Sequence, residues 1–291
     1  MLAMRLLLFV LLVGSALTVS GCAHHEERLP LTVTYIANCG FVVECGDEKI
    51  LIDALFGGWE SPWYFSPPDS AVQLMTAARP PFDDVDLIAV THTHRDHFDA
   101  HIVVSYMKEN REAIIVCPPQ VVQQMQTCEQ YTALEERIHL VAAPPDSTVI
   151  MALGGIEMRI LPGRHSPYYE EDEATGETVD RHGDVQHLEY LFTINGRKLF
   201  HCGDAELNDF ERYRNFGLGN ESIDLAFVPW WNASEQLSFT QRLVRDVIRP
   251  DRIILMHLIP DREPAGHPER QQTVAGQVIL PAHTMQTWTF E

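Results

Sequence analysis

Apolar residues fall in short, strand-sized blocks along most of this chain. Leu31–Ile36, Gly40–Glu44 and Lys49–Ile52 are rich in Val, Ile and Tyr, with Gly46-Asp47 at a turn. That pattern predicts a β-meander. Residues 57–69 hold Gly, Pro and Trp and read as a long loop, and Ala71–Ala78 reads as a short helix. Leu87–Val90 is a buried strand, Ile102–Asn110 a helix and Ala113–Cys117 a strand. Pro118–Thr127 reads as a helix with proline in its first turn. Ile138–Val141, Thr148–Met151 and Glu157–Leu161 are strands again. His187–Ile194 and Lys198–Cys202 predict a hairpin around Asn195-Gly196, because both turn positions need positive φ. Leu225–Val228 and Ile253–Met256 are short buried strands with a helix, Ser238–Ile248, between them. Residues 261–291 read as loop plus one or two terminal strands. Two runs of strands with interspersed helices, no repeat and no linker predict one α/β domain over 31–291.

The first thirty residues break this pattern. Arg5 precedes the apolar run Leu6–Val13, and smaller residues lead to Gly21-Cys22. This is a charged start, a short apolar block and a small-residue cleavage region, too short to span a bilayer comfortably. Val19-Ser20-Gly21-Cys22 resembles the bacterial lipobox. Residues 1–21 are then a lipoprotein signal peptide, and 22–30 form a tether. Cys22 is the lipid-bearing membrane anchor, which puts the protein in the bacterial cell envelope, facing periplasm or exterior. An ordinary secretory signal cleaved near Ala23 is the competing reading.

Composition narrows the partners. Hydrophobic residues make up 45% of the 291 positions and charged residues 21%, enough for a sizeable core. Asp and Glu number 41 against 21 Lys and Arg, a formal net charge of −20. A field of that sign repels a phosphate backbone and argues against nucleic acid as partner. Lipid on Cys22 would leave five thiols: Cys39, Cys45, Cys117, Cys128 and Cys202. Cys39 and Cys45 read as one strand, too far apart to bridge. Cys117–Cys128 is the pair an exported protein could join, and no C-x-x-C suggests a thiolate zinc site.

The chemistry is concentrated after Leu87–Val90. Thr91-His92-Thr93-His94-Arg95-Asp96-His97-Phe98-Asp99 puts three histidines and an aspartate into six positions. Imidazoles and carboxylates are the usual ligands of zinc and other borderline metals. His165, Asp204 and His257 each close a further apolar run, and strand-end placement gathers side chains from distant sequence on one sheet edge. Taken singly, a strand-ending histidine is usually a hydrogen-bonded or surface residue; their occurrence together after His92–His97 points to metal.

On these residues the chain resembles the metallo-β-lactamase-fold superfamily of metallohydrolases, from about Thr32 to His257. Tyr35–Phe41 through Ile50–Asp53 looks like a lactonase- and phosphodiesterase-like branch. The resemblance implies an αββα four-layer sandwich of two mixed β-sheets flanked by helices, with metals at one edge. It assigns His92, His94 and His165 to a first metal, Asp96, His97 and His257 to a second, and Asp204 to both. It implies two divalent ions, Zn²⁺ first, with Mn²⁺ or Fe tolerated. A hydroxide bridging the two would cleave a small ester, lactone or phosphodiester, with Asp96 orienting the nucleophile or passing a proton. β-Lactamases of this fold typically lack the bridging aspartate. Diiron oxidoreductase relatives carry glutamate where His94 stands, although a mononuclear iron dioxygenase stays open. So does a lipid-anchored metal-binding protein without turnover.

Supporting residues are expected around such a centre. Asp53 and Asp99 are candidates to orient ligand histidines. Asn38 is placed to polarise substrate, and His187 and His201 are either proton donors, substrate contacts or hydrogen-bonded structural residues. Trp59, Trp63, Tyr64, Phe65, Trp230 and Trp231 either wall a substrate pocket or cap the sandwich. The acidic run Glu170–Glu173 reads as a solvated loop.

Overall fold

A computed structural model describes residues 28–233, 242–258 and 277–291. The segment read as a signal peptide, Cys22, the start of the Ser238–Ile248 helix and all of 259–276 lie outside the described residues.

The first run of strands forms one seven-stranded sheet. It comprises β1 (Leu31–Ala37), β2 (Gly40–Cys45), β3 (Glu48–Ile52), β4 (Leu87–Ala89), β5 (Ile114–Cys117) and β6 (Ile138–Leu140), with β16 (Gln286–Phe290) returning beside β1. The order is β16-β1-β2-β3-β4-β5-β6, antiparallel as far as β3 and parallel beyond it. The second run forms the other sheet, from β7 (Val149–Leu153), β8 (Ile156–Arg164), β11 (Gln186–Ile194), β12 (Arg197–His201), β13 (Leu225–Pro229), β14 (Arg252–Met256) and β15 (Gln277–Ile279). Its order is β15-β14-β13-β12-β11-β8-β7, parallel from β12 to β15 and antiparallel from β12 to β7. Helices α1 (Asp69–Thr76), α2 (Ala100–Glu109) and α3 (Pro119–Met125) pack on the first sheet, and α4 (Phe210–Phe216) on the second. Two mixed sheets with flanking helices are the αββα sandwich that the sequence resemblance implied.

Period-two burial explains the layers. In the first sheet Val33, Tyr35, Phe41, Val43, Ile50 and Ile52 face the second sheet, while Val42, Leu51, Ile88 and Ile115 face the helices. Phe41 meets Phe227 across the gap with ring centroids 4.3 Å apart. Each such side chain contributes about 1.5–3 kcal/mol when withdrawn from water.

Turns set the register. Asn195 (φ 42°) and Gly196 (φ 77°) make the expected tight hairpin, with Ile194 opposite Arg197. Gly154 and Gly155 do the same between β7 and β8, a hairpin the sequence reading left unassigned. Glu170 and Glu171, the start of the run read as a solvated loop, lie in β9 (Tyr169–Glu171), which forms a small exposed hairpin with β10 (Thr178–Asp180). Helix α4 was also unassigned; Asp209 caps it by accepting from Arg212 N.

The suggested Cys117–Cys128 bridge is absent. Both are buried free thiols, and Cys128 Sγ lies 3.5 Å from His101 Nδ1 instead. Cys39 sits in the β1–β2 turn rather than on one strand with Cys45. The tether's described end is docked: Arg28 pairs with Asp224 at 2.7 Å and Leu29 O accepts from Arg197 Nε.

Candidate metal centre

The C-terminal ends of β3, β4, β8, β12 and β14 reach the same edge of the sandwich. β4 is pinned there from the other sheet, because Tyr190 on β11 donates its hydroxyl to Val90 O (2.8 Å) and Leu188 N donates to Thr91 O. The chain then turns sharply, with His97 N and Phe98 N both donating to His94 O. That turn presents His92, His94, Asp96 and His97 together. β8 runs farther than the expected Leu161, and His165 follows it directly. Asp204 follows β12 and His257 follows β14.

All seven residues assigned by the resemblance converge. One nitrogen each from His92, His94 and His165 lie within 4.8 Å of one another, and so do ligand atoms of Asp96, His97 and His257. Asp204 stands between the two triads. Its Oδ1 is 3.3 Å from His97 Nε2, and its Oδ2 lies 3.5 Å from His165 Nε2 and 3.3 Å from His257 Nε2. Asp96 Oδ2 is 3.3 Å from His257 Nε2.

Hydrogen bonds fix which nitrogen faces inward. Thr91 Oγ1 donates to Asp53 Oδ2 (2.6 Å) and accepts from His92 Nδ1 (2.9 Å). His97 Nδ1 donates to the same Asp53 oxygen (2.8 Å), and His165 Nδ1 donates to Ser166 O (2.7 Å). With each Nδ1 proton committed, the Nε2 of a neutral ring carries a lone pair. The Nε2 atoms of His92, His97 and His165 are buried and have no hydrogen-bond partner. Orphaned buried acceptors are costly, on the order of 1–3 kcal/mol each. Three of them aimed together, with carboxylates between, fit divalent cations.

Charge is unevenly spread. Burial, reinforced by neighbouring imidazoles, pushes His94 down to about 4 and His92 well below the usual histidine range. Burial opposes a charge on His257 as well, but Asp204 and Asp96 override it and raise that histidine to about 9. His97 is raised for the same reason, chiefly by Asp204. Burial likewise opposes ionising Asp204, yet His97 and His257 hold it well below the carboxylate range.

The supporting residues divide. Asp53, held at φ 45°, links both triads as described. Asn38 donates to Asp96 Oδ2 (3.0 Å) and Asp96 O, so it orients that carboxylate. Asp99 accepts from Ile102 N and caps α2, outside the cluster. His201 has both ring nitrogens engaged, with Cys39 O and Gly203 N. His187 Nε2 accepts from Asp204 N (3.1 Å) and so positions the shared carboxylate. Gly203 allows this: a Cβ there would lie 2.6 Å from His187 Nε2, at a φ of +52°.

Three residues at the site escaped the sequence reading. His182 packs 4.2 Å from His165 and 4.8 Å from His94 by ring centroid; a lone histidine in a polar stretch carries no signal. Cys39 Sγ lies 3.6 Å from Asp204 Oδ1. Thr91 stands beside His92, yet its relay to Asp53 is visible only in three dimensions. The aromatic residues separate cleanly. Tyr64 and Trp231 stand against His257 (5.3 and 4.6 Å), and Trp59 leans on Tyr64 under Arg95. Phe65 and Trp230 pack on the core, and Trp63 is exposed.

Residues 48–261 match the family model described as beta-lactamase superfamily domain. A stretch of 92 residues is 34% identical to a Rieske 2Fe-2S iron–sulfur protein of Mycolicibacterium smegmatis; it covers 30% of this chain and only 16% of that curated relative. Igni18, a metallo hydrolase of Ignicoccus hospitalis, superposes with a TM-score of 0.56 at 18% identity over 90% of this chain and 99% of its own. YhfI of Bacillus subtilis, a metallo-beta-lactamase fold protein, gives 0.59 at 17% over 90% and 100%. CmlA, a diiron β-hydroxylase of Streptomyces venezuelae, gives 0.52 at 12% over 89% and 54%. At these identities the structural likeness is one of fold.

Proposed function

The chain belongs to the beta-lactamase superfamily whose domain it matches, and we propose that within it the protein is a binuclear metal-dependent hydrolase of small esters, lactones or phosphodiesters. The observation that carries this is Asp204, whose carboxylate lies within 3.5 Å of histidines from both triads, Oδ2 against His165 and His257 and Oδ1 against His97. His92, His94 and His165 would hold one ion, Asp96, His97 and His257 the other, and Asp204 would touch both. Such ions, Zn²⁺ by donor set, supply a water acidic enough to ionise near neutrality and a Lewis acid for the scissile group. The chain's own part is to hold the lone pairs inward and keep Asp96 oriented through Asn38.

The competing reading is an iron oxygenase, which the likeness to a diiron hydroxylase keeps in play. Metal analysis joined to an activity screen separates them. Two zinc or manganese per chain, with turnover of p-nitrophenyl esters, lactones or bis-p-nitrophenyl phosphate, is the expected result. Iron as the bound metal, one or two ions per chain, with no hydrolysis would overturn it.

We also propose export and anchoring through lipid on Cys22, on the lipobox-like Val19–Cys22. Cys22→Ser should move the protein from the membrane to the soluble fraction. A net charge of −20 supports a small-molecule substrate over nucleic acid.

A further inference from the structure

One thiol stands inside the metal cluster and outside the ligand set that the resemblance assigns. Cys39 is fully buried, and its Sγ lies 3.6 Å from Asp204 Oδ1. That same oxygen is 3.3 Å from His97 Nε2, and the ligand atoms of Cys39, His97 and Asp204 all fall within 4.8 Å of one another. His97 Nε2 is buried without a hydrogen-bond partner, while its Nδ1 is engaged by Asp53. These separations match the edges of a coordination polyhedron. With zinc–sulfur bonds of about 2.3 Å and zinc–nitrogen or zinc–oxygen bonds of about 2.1 Å at tetrahedral angles, sulfur and oxygen stand about 3.6 Å apart and nitrogen and oxygen about 3.4 Å.

Backbone contacts hold the thiol there. Asn38 and Cys39 form the turn between β1 and β2, with Asn38 at φ 48°. Asn38 O accepts from His257 N (2.9 Å), and Cys39 O accepts from His201 Nε2 (3.0 Å). Glycine is required next, because a Cβ on residue 40 would lie 2.8 Å from Asp53 O. The turn is thus tied to a ligand histidine on one side and packed against the strand end carrying Asp53 on the other. A donor fixed in this way loses little freedom when it binds an ion.

We propose that Cys39 is a thiolate donor to the second ion, a fifth protein ligand beside Asp96, His97, His257 and Asp204, and that it selects zinc or cobalt over manganese there. The inference rests on the two-ion hydrolase reading and sharpens it. Sulfur is a soft donor that favours zinc, whereas carboxylate and water suit manganese. On coordination the metal–sulfur bond forms, the S–H bond breaks and the proton leaves to solvent.

Cobalt and zinc loading of the full-length protein test it. With two cobalt ions bound, the protein should show a thiolate-to-cobalt charge-transfer band in the near ultraviolet. Cys39→Ser should abolish that band and keep the weaker visible bands of nitrogen and oxygen ligation. Cys117→Ser, at a buried free thiol outside the cluster, should leave it intact. Zinc-edge X-ray absorption on the unaltered protein should show sulfur at about 2.3 Å, about one per two zinc ions. In chelator competition Cys39→Ser should weaken zinc at the second triad at least about tenfold, the least expected from losing even an orienting partner, and manganese by less. Equal loss of both metals would overturn the selection. Two cobalt ions held by nitrogen and oxygen alone, or a band that survives Cys39→Ser, would overturn the proposal, leave Cys39 as a hydrogen-bond donor to Asp204 and spare the hydrolase reading. A sulfur-ligated centre that turns over no ester or phosphodiester would sink the hydrolase reading and leave Cys39 a ligand.

Discussion

The two triads of the metal centre are built from nearly the same residue types and behave oppositely. His92, His94 and His165 are three imidazoles packed together, and burial with mutual repulsion pushes His92 and His94 below the usual histidine range. Asp96, His97 and His257 share their space with Asp204, and those carboxylates draw protons onto the histidines. Without metal, the second triad stores protons that a cation must displace, while the first has its lone pairs already exposed. The difference lies in carboxylate placement, not in histidine count. Metal binding should therefore release protons chiefly from the second triad.

Both triads depend most on the carboxylate they share. Asp204→Ala should lower kcat on the order of 10³-fold or more. It should also reduce metal content below two ions per chain, read by elemental analysis, with circular dichroism confirming the fold. Turnover within tenfold of the parent would contradict a shared role for Asp204.

A smaller change should separate the triads. Asp53 Oδ2 accepts from His97 Nδ1 directly, but reaches His92 only through Thr91. Asp53→Asn should weaken metal at the second triad by roughly 10–100-fold and at the first by less. Competition titration with a chromophoric chelator resolves the two affinities. Equal losses at both would show that the relay through Thr91 is as tight as the direct bond.

The two triads were also unequally legible in the sequence. Four ligands sit in six positions after Leu87–Val90, and that density is a signal by itself. His165, Asp204 and His257 are single residues at strand ends, and only resemblance grouped them. Short apolar blocks exposed both sheets, because a strand buried on two faces reads as a continuous apolar run. The Gly154-Gly155 turn is legible from its paired glycines, both at positive φ. His182, the Thr91 relay and the approach of Cys39 to Asp204 were not readable, since each depends on which atom faces which neighbour. Asp99 shows the converse: its place next to the cluster suggested support for a ligand, whereas its carboxylate caps α2.

Opposite pKa shifts give the metal-free protein opposite pH limits. His94 falls to about 4 in the folded chain. Between about 6.5 and 4 the unfolded chain binds this proton and the folded one does not, so stability is lost as pH falls through that window. His257 rises to about 9. Its contribution is complete below about 6.5 and is lost as pH rises toward 9. Urea midpoints of metal-free protein should peak near neutrality and decline on both sides. Asp204→Asn should flatten the alkaline limb and spare the His94 contribution to the acid one. A midpoint that climbs steadily from pH 6.5 to 9 would contradict the assignment for His257.

A weaker influence is the aromatic wall that, among the described residues, stands directly against the second triad. Tyr64 and Trp231 flank His257 edge-on at 5.3 and 4.6 Å. Edge-to-face contacts of this kind contribute about 0.5–1.5 kcal/mol beyond burial, roughly a two- to tenfold effect on an equilibrium. His257 is also held at φ 57°, an uncommon backbone geometry that its neighbours must enforce, among them Asn38 through its carbonyl. Tyr64→Leu keeps an apolar side chain there and deletes the ring. Affinity at the second triad should fall a few-fold, while the first, whose own neighbours are Ser166 O, Thr91 and His182, should be unchanged. An equal fall at both triads would mean that the long loop carrying Tyr64 organises the whole sheet edge and not one half of it.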